Sequence, residues 1–354
     1  AYVLDDRSSV DSVNLSKKFE TQTDDFVYEV AFLIKNNQNG VAFSLGNNKT
    51  KTLNIESVDG NLVLNGSDIL IKDYRENFWY RLKAEVSPQN GTADFYINYK
   101  KVLEDIKFTS GEFNLISFST DVTRKNEVRI DDVRLYNKIV LPDDYVEAPE
   151  VVNAKGGISV GMQHYAMWNE GNHYGWDRIN SYADRIPYIG FYNERSPEAA
   201  DWMIKYEAEH GIDFAVYDWH RPNNGTFNKG VNNPIKTPSR YQALYEGYFN
   251  SQYSNYRDFA ILFSAISATT LGGYDDWTNN VAPYLVEYFF KDERYKKVNN
   301  RPLLFIYDPQ AYVDAMGGLE LANRGIDYLD ELCKKEGMAG VRFMLDGSST
   351  VTAD

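Results

Sequence analysis

HGIDFAVYDWH, residues 210–220, holds the end of a helix, a strand and a polar strand exit in one short stretch. Just before it, SPEAADWMIKYEAEH (196–210) has Ser196 at the N-cap, Pro197 at the first helical position and Glu198 in the first turn. A Ser hydroxyl accepts from a first-turn N–H that has no helical partner, and Pro has no N–H to lose there. Gly211 ends the helix, because a left-handed cap carries no penalty without a Cβ. The apolar run that follows is too short for a helix and reads as a strand. It finishes on Asp218, Trp219 and His220.

The same cycle recurs on both sides. ISVGMQHYAMW (158–168) is a strand with its exit, and SRYQALYEGYFNSQY (239–253) is a helix. Strand FAILFSAIS (259–267), helix NNVAPYLVEYFF (279–290), strand RPLLFIYDP (301–309), helix LELANRGIDYLDELCKK (319–335) and strand VRFMLDG (341–347) complete five strands and four crossovers. Strands that are apolar throughout and alternate with helices imply a parallel sheet. A doubly wound sheet and a (β/α)8 barrel both fit this order.

The strand exits favour the barrel. Polar and aromatic residues recur there: His164, Tyr165 and Trp168; Asp218, Trp219 and His220; Ser264 and Ser267; Asp308; Asp346. Barrel strands bring their C-terminal ends to one mouth. No GxGxxG or GxxxxGK[ST] loop follows the first strand, so the nucleotide-binding fingerprint of a doubly wound sheet is missing.

Before about residue 140 the period is two. FVYEVAFLIK (26–35), VAFSLG (41–46), TLNIESV (52–58), NLVLN (61–65), WYRLKAEV (79–86), TADFYINYK (92–100), FNLISFS (113–119) and EVRIDDVRLYN (127–137) are short strands. Asn39-Gly40, Asp59-Gly60, Asn65-Gly66 and Asn90-Gly91 supply turns in which φ > 0 is readily adopted. Eight or more such strands predict an all-β, two-sheet jelly-roll sandwich. Trp79 and Tyr74 are either core residues or an exposed sugar platform. The predicted division is a sandwich over 1–140, a linker over 141–156, where Pro142, Pro149 and Gly156-Gly157 interrupt any pattern, and the barrel region over 157–354.

Composition narrows the function. A net charge of −14 without a basic stripe opposes nucleic-acid binding. No apolar run approaches the ~20 residues of a spanning helix, so membrane insertion is not expected. The one cysteine, Cys333, rules out an intrachain disulfide and reads as a buried helix residue. Aromatic residues make up 15% of the chain, which suits packing against the C–H faces of sugar rings. The chain opens at Ala1 with no apolar targeting segment, so any signal peptide is expected to be removed or to lie outside it.

Two resemblances follow from these residues. DFYINYKKVLE (94–104) and VRIDDVRLYN (128–137) are similar to the hairpin and closing strand of concanavalin A-like and laminin-G-like sandwiches. VGMQHYAMW (160–168), IPYIGFYNERSPE (186–198), HGIDFAVYDWHRP (210–222), FAILFSAIS and ERYKKVNNRPLLFIYDP (293–309) resemble, in order, the motifs of family 99 glycoside hydrolases and WbsX-like proteins. That resemblance implies a (β/α)8 barrel that hydrolyses α-mannosidic or other glycan linkages of a polysaccharide or oligosaccharide without a cofactor, and the lectin-like sandwich beside it favours an external polymer, so the expected location is extracellular, periplasmic or at the cell surface. It also places the best-known carboxylates of the family on later strands, so the barrel is expected to be incomplete here, with about five strands, in a part of a longer protein. The WbsX-type Trp-Ala-Asn-Glu after the third strand is replaced by FSAISATT (263–270).

Glycoside hydrolysis uses two carboxyl groups. Asp218, Asp308 and Asp346 are the exit carboxylates that can serve as catalytic groups. Asp218 stands between an acid and a cap of the following loop, and Asp308, before Pro309, between a catalytic group and a turn. His164 and Tyr165 match the family's first-strand motif and are expected to contact substrate hydroxyls, with Trp168, Trp219 and His220 beside them. Asn169, Asn172, His173 and Tyr174 suit a sugar subsite or a solvated loop. A metal held by His164, His220 and Asp218 is a further class of reading, although no HExxH pair supports it. Non-catalytic glycan binding and surface-polysaccharide biosynthesis remain as alternatives to hydrolysis.

Overall fold

Period-two alternation gives twelve strands in the first part of the computed structural model: β1 (Tyr2–Asp6), β2 (Asn14–Gln22), β3 (Phe26–Ile34), β4 (Val41–Gly46), β5 (Leu53–Val58), β6 (Asn61–Leu64), β7 (Asp68–Ile71), β8 (Trp79–Ser87), β9 (Thr92–Ile97), β10 (Lys100–Lys107), β11 (Phe113–Thr120) and β12 (Asn126–Asn137). The structure describes all residues except 1, 8–9, 36–39, 122–124, 139–140, 142, 153, 155, 167, 169–175, 177–178, 180–181, 183–184, 186, 188, 222–234, 236–242, 266–270 and 347–354. The chain divides into two units, Ala1–Tyr145 and Val146–Asp354.

In the first unit two six-stranded sheets form, ordered β1-β12-β3-β8-β9-β10 and β2-β11-β4-β5-β6-β7, and neighbouring strands pair antiparallel. Rings from the two sheets meet between them. Phe26 of β3 lies 5.5 Å from Phe113 of β11, and Phe32 of β3 lies 4.9 Å from Phe43 of β4. Each such buried side chain contributes about 1.5–3 kcal/mol through apolar area removed from water. This is the predicted sandwich. Trp79 and Tyr74 are 4% and 2% exposed, and Trp79 clusters with Ala31 and Leu33, so neither forms a surface platform.

The turns follow the dipeptides. Asp59-Gly60 has φ of 47° and 79°, and Asn65-Gly66 has 49° and 80°. Both residues of each pair sit in the left-handed region that a two-residue hairpin turn requires. Between β9 and β10 the pair is Asn98-Tyr99, with φ of 51° and 70°. The tyrosine takes a conformation normally left to glycine, which is a source of strain. Asn98 fastens the turn: its Oδ1 accepts from Arg81 N at 2.8 Å and its N–H donates to Arg81 O at 2.7 Å.

The second unit holds β13 (Gly161–His164), helix α1 (Pro197–Glu209), β14 (Phe214–Trp219), β15 (Asp258–Phe263), β16 (Lys297–Val298), β17 (Arg301–Ile306) and β18 (Arg342–Leu345). Further helices run over Pro309–Met316 and Leu319–Lys335, and a helical run over 274–290 mixes α and π turns. Ser196 caps α1 as predicted, its Oγ accepting from Ala199 N at 3.3 Å, and Gly211 follows the helix with φ of 80°.

Five strands, β13, β14, β15, β17 and β18, pair parallel in chain order. A doubly wound sheet reverses its strand order at a switch point, whereas a barrel adds each strand beside the last. The observed order is that of a partial α/β barrel. The stretch expected as a linker is in part fastened to α1. Trp202 Nε1 donates to Val146 O at 3.1 Å, Lys205 Nζ to Glu150 O at 2.9 Å, and Glu209 Oε1 accepts from Val152 N at 3.0 Å.

Candidate functional site

Asp218 and Trp219 are consecutive on β14, so their side chains leave opposite faces of the sheet. Trp219 is 1% exposed; its Nε1 donates to Tyr245 OH at 2.7 Å and its ring stacks 5.6 Å from Tyr284. It belongs to the aromatic layer between sheet and helices. The expected sugar contact at Trp219 is therefore corrected, because its ring and its N–H are both committed to the core.

Asp218, on the other face, is 7% exposed and accepts from Gln163 Nε2 at 3.3 Å. Burial raises its pKa above the ordinary aspartate value. The Gln163 hydrogen bond opposes that shift, the charge of Asp346 adds to it, and the charge of His164 opposes it. Asp346 is half-buried just past β18, where its N–H donates to Ile306 O at 2.8 Å. Asp218 and Asp346 are thus two carboxyl groups at strand exits that sense one another.

Asp308 is different. It is the N-cap of the helix Pro309–Met316, and its Oδ1 accepts from Ala311 N at 3.0 Å. The catalytic expectation at Asp308 is corrected to a capping role. Pro309 at the first helical position makes the preceding residue the cap.

At the exit of β13, His164 is 8% exposed and lies 4.9 Å from the ring of Tyr217, its register partner on β14. Its Nε2 is 3.0 Å from Oε1 of Glu194, which is itself only 4% exposed. Oε2 of Glu194 accepts from Trp168 N at 2.8 Å, and Glu194 N donates to Trp168 O at 3.0 Å. Trp168 is half-buried and its ring lies 4.6 Å from Trp176. Gly247 backs this corner: a Cβ there would fall 2.4 Å from Glu194 O, so no larger residue fits. Sequence reasoning missed Glu194. It sits in IPYIGFYNERSPE with no periodic signal to mark it, and the only hint was its place two residues before the Ser196 cap.

Of the other expected residues, Tyr165 is 52% exposed and His220 is half-buried at the exit of β14. Ser264 is 2% exposed, and among the described residues neither its buried Oγ nor Nδ1 of His164 has a hydrogen-bond partner. Arg221 is 4% exposed and pairs with the fully buried Asp276, which also accepts from Gly272 N at 2.8 Å. That pair joins the exit of β14 to the start of the helical run 274–290. Ser267, Asn169, Asn172, His173 and Tyr174 lie outside the described residues.

Among the described residues, no three His, Cys, Asp or Glu side chains are grouped to hold a metal ion, so His164, His220 and Asp218 do not form the ligand set considered from sequence. Cys333 is buried, and burial pushes its thiol up to about 12, which leaves it unreactive near neutral pH. No helix among the described residues is long and apolar enough to cross a membrane.

Among solved structures, a sialidase is similar at 14% identity and a TM-score of 0.34, over 38% of this chain and 15% of that one. An alginate lyase from polysaccharide lyase family 7 gives 14% identity and 0.28, over 36% of this chain and 63% of its own. A Caenorhabditis elegans galectin gives 11% identity and 0.26, over 37% and 96%. The chain therefore spans less than two thirds of the sialidase and of the lyase. No curated protein matches it. Residues 180–353 match the family model described as Glycosyltransferase WbsX. The matched region contains Glu194, Asp218 and Asp346, so the residues of the candidate site lie within the stretch that is similar to the WbsX family.

Proposed function

We propose that the protein is a glycoside hydrolase acting on a polysaccharide, α-mannan-like or another extracellular glycan, with Asp218 as its proton donor. The observation that carries this is the buried Asp218 carboxyl at a parallel strand's C-terminal end, its pKa raised by burial and by the Asp346 charge. A carboxyl that holds its proton at higher pH can deliver it to the glycosidic oxygen as the bond to the anomeric carbon breaks. Asp346 supplies the second carboxyl, which takes a proton from the water that attacks the anomeric carbon. The proton given by one carboxyl is thus replaced by the proton taken by the other.

The sandwich unit serves in this reading as a lectin-like companion that holds the polymer, and its pairing with a glycan-acting unit supports action outside the cytoplasm. The similarity to a family described as glycosyltransferases favours a second reading, glycosyl transfer. There the exit carboxylate takes the proton of an acceptor hydroxyl as its oxygen bonds to the anomeric carbon of an activated sugar and the nucleotide leaves.

The test is to incubate the protein with α-mannans and other bacterial and algal polysaccharides and measure released reducing ends, with a parallel arm of nucleotide-activated sugars scored for nucleotide release. Hydrolysis predicts reducing ends in the first arm and none of the donor consumed in the second. Donor consumption would replace hydrolysis by transfer. Binding to a polysaccharide with neither product would make this a non-catalytic glycan-binding protein.

A further inference from the structure

Trp168 is the aromatic residue at the exit of β13 whose position depends on a charged group far along the chain. Glu194 is separated from it by 26 residues, yet it holds the Trp168 backbone from both sides, by its carboxylate to the N–H at 2.8 Å and by its own N–H to the carbonyl at 3.0 Å. The second carboxylate oxygen is 3.0 Å from His164, a strand residue, so the loop is tied to the sheet through Glu194. An ionised carboxylate only accepts, which makes His164 Nε2 the donor. The indole of Trp168 then rests on Trp176, whose Nε1 donates to Tyr192 O at 2.5 Å. Trp176 is 7% exposed while Trp168 is half-buried, so the pair offers one supported ring at the exit of β13.

We infer that Glu194 is a positioning residue that fixes Trp168 as a stacking platform for a pyranose ring of the glycan. This rests on the glycan-acting reading above. The flat C–H face of a sugar packs on an indole that is held in place before binding, and pre-organisation lowers the entropy lost on association. The Glu194 carboxylate touches no reacting atom in this role; it acts through Trp168 and His164.

The inference is tested on the full chain with Glu194→Ala, Glu194→Gln, Trp168→Ala and the double variant Glu194→Ala/Trp168→Ala. Two readouts are used: KM and kcat on the glycan that the panel identifies, and hydrogen exchange of the peptide carrying the Trp168 amide. Glu194→Ala and Trp168→Ala should each raise KM about tenfold, the scale of one aromatic contact, with little change in kcat, and the double variant should add nothing. Glutamine can still accept from Trp168 N through its oxygen, and its NH2 can donate to His164 Nε2 once the imidazole carries its proton on Nδ1, so Glu194→Gln should recover KM. The Trp168 amide should exchange faster in Glu194→Ala and return to protection in Glu194→Gln. A collapse of kcat in Glu194→Gln with KM intact would make Glu194 a chemical group and overturn the positioning role. Additive effects of the two single changes, or unchanged exchange in Glu194→Ala, would overturn it as well. The exchange readout needs no glycan, so it stands or falls apart from the proposed activity. If Glu194→Ala does not fold, Glu194→Gln and Trp168→Ala still decide the matter.

Discussion

The chain writes Tyr-Asp at two strand exits, Tyr217-Asp218 on β14 and Tyr307-Asp308 after β17, and the two copies fold into different things. At the first, the strand continues through Trp219, so Asp218 stays inside the ladder opposite Leu262 and is buried beneath the mouth. At the second, the strand stops at Ile306 and Tyr307 is left 46% exposed. Asp308 then closes the first turn of a helix. What separates them is the next residue. Trp219 anchors its strand in an aromatic core, whereas Pro309 has no N–H for a ladder and starts a helix. The same carboxyl is buried with a raised pKa in one case and caps a helix in the other.

The largest expected effect comes from breaking this contrast chemically. Asp218→Asn should lower kcat for reducing-end release by about 10²–10⁴-fold, while Asp308→Asn should stay within about twofold of the wild type. Equal losses at both positions would mean that the mouth, and not one carboxyl, carries the reaction.

The next effect is on stability. Asp308→Ala removes the acceptor of Ala311 N–H and should cost about 1 kcal/mol in denaturant unfolding, whereas Asp308→Asn keeps an acceptor and should cost little. Asp218→Asn should act in the opposite direction. Burial raises the folded-state pKa of Asp218, so between 3.8 and that raised value the folded chain holds more protons than the unfolded one. Its contribution to stability therefore falls as pH rises through this window. Removing the charge should raise Tm at pH 7, and the difference should fade below pH 3.8.

The smallest effect sharpens the comparison. Gln163→Leu removes the hydrogen bond that lowers the Asp218 pKa, so the alkaline limb of kcat against pH should move upward. A downward shift would show that Gln163 holds the protonated form instead.

Much of the fold was legible because its signals are local. Asp59-Gly60 and Asn65-Gly66 specify left-handed turns by themselves, and Ser196-Pro197 with Gly211 bounds α1. The barrel order was legible from the repeat of strand and helix. Less visible were β1, β2, β7 and β10, whose alternation is weak or, in β10, broken by register shifts. Asn98-Tyr99 could not be read as a left-handed pair, since tyrosine gives no hint of a positive φ. The helical stretch near 243–250 reads as an ordinary amphipathic helix but winds as a π turn and then a 3₁₀ turn.

The site was legible only in part. Period two predicts that Asp218 and Trp219 face opposite ways, but which of them faces the mouth depends on Tyr245 and Tyr284, which are distant in sequence. Glu194 was hidden for the same reason: its partners His164 and Trp168 are 30 and 26 residues away.

The central claim is that burial makes Asp218 a proton-holding acid. It is tested most directly by titrating the wild type and Asp218→Asn in parallel and taking the difference in protons bound. The account predicts a single-proton difference with its midpoint above the ordinary aspartate value of 3.8. A midpoint at or below that value would contradict it, because Asp218 would then be a carboxylate stabilised in its charged form and unable to serve as the proton donor.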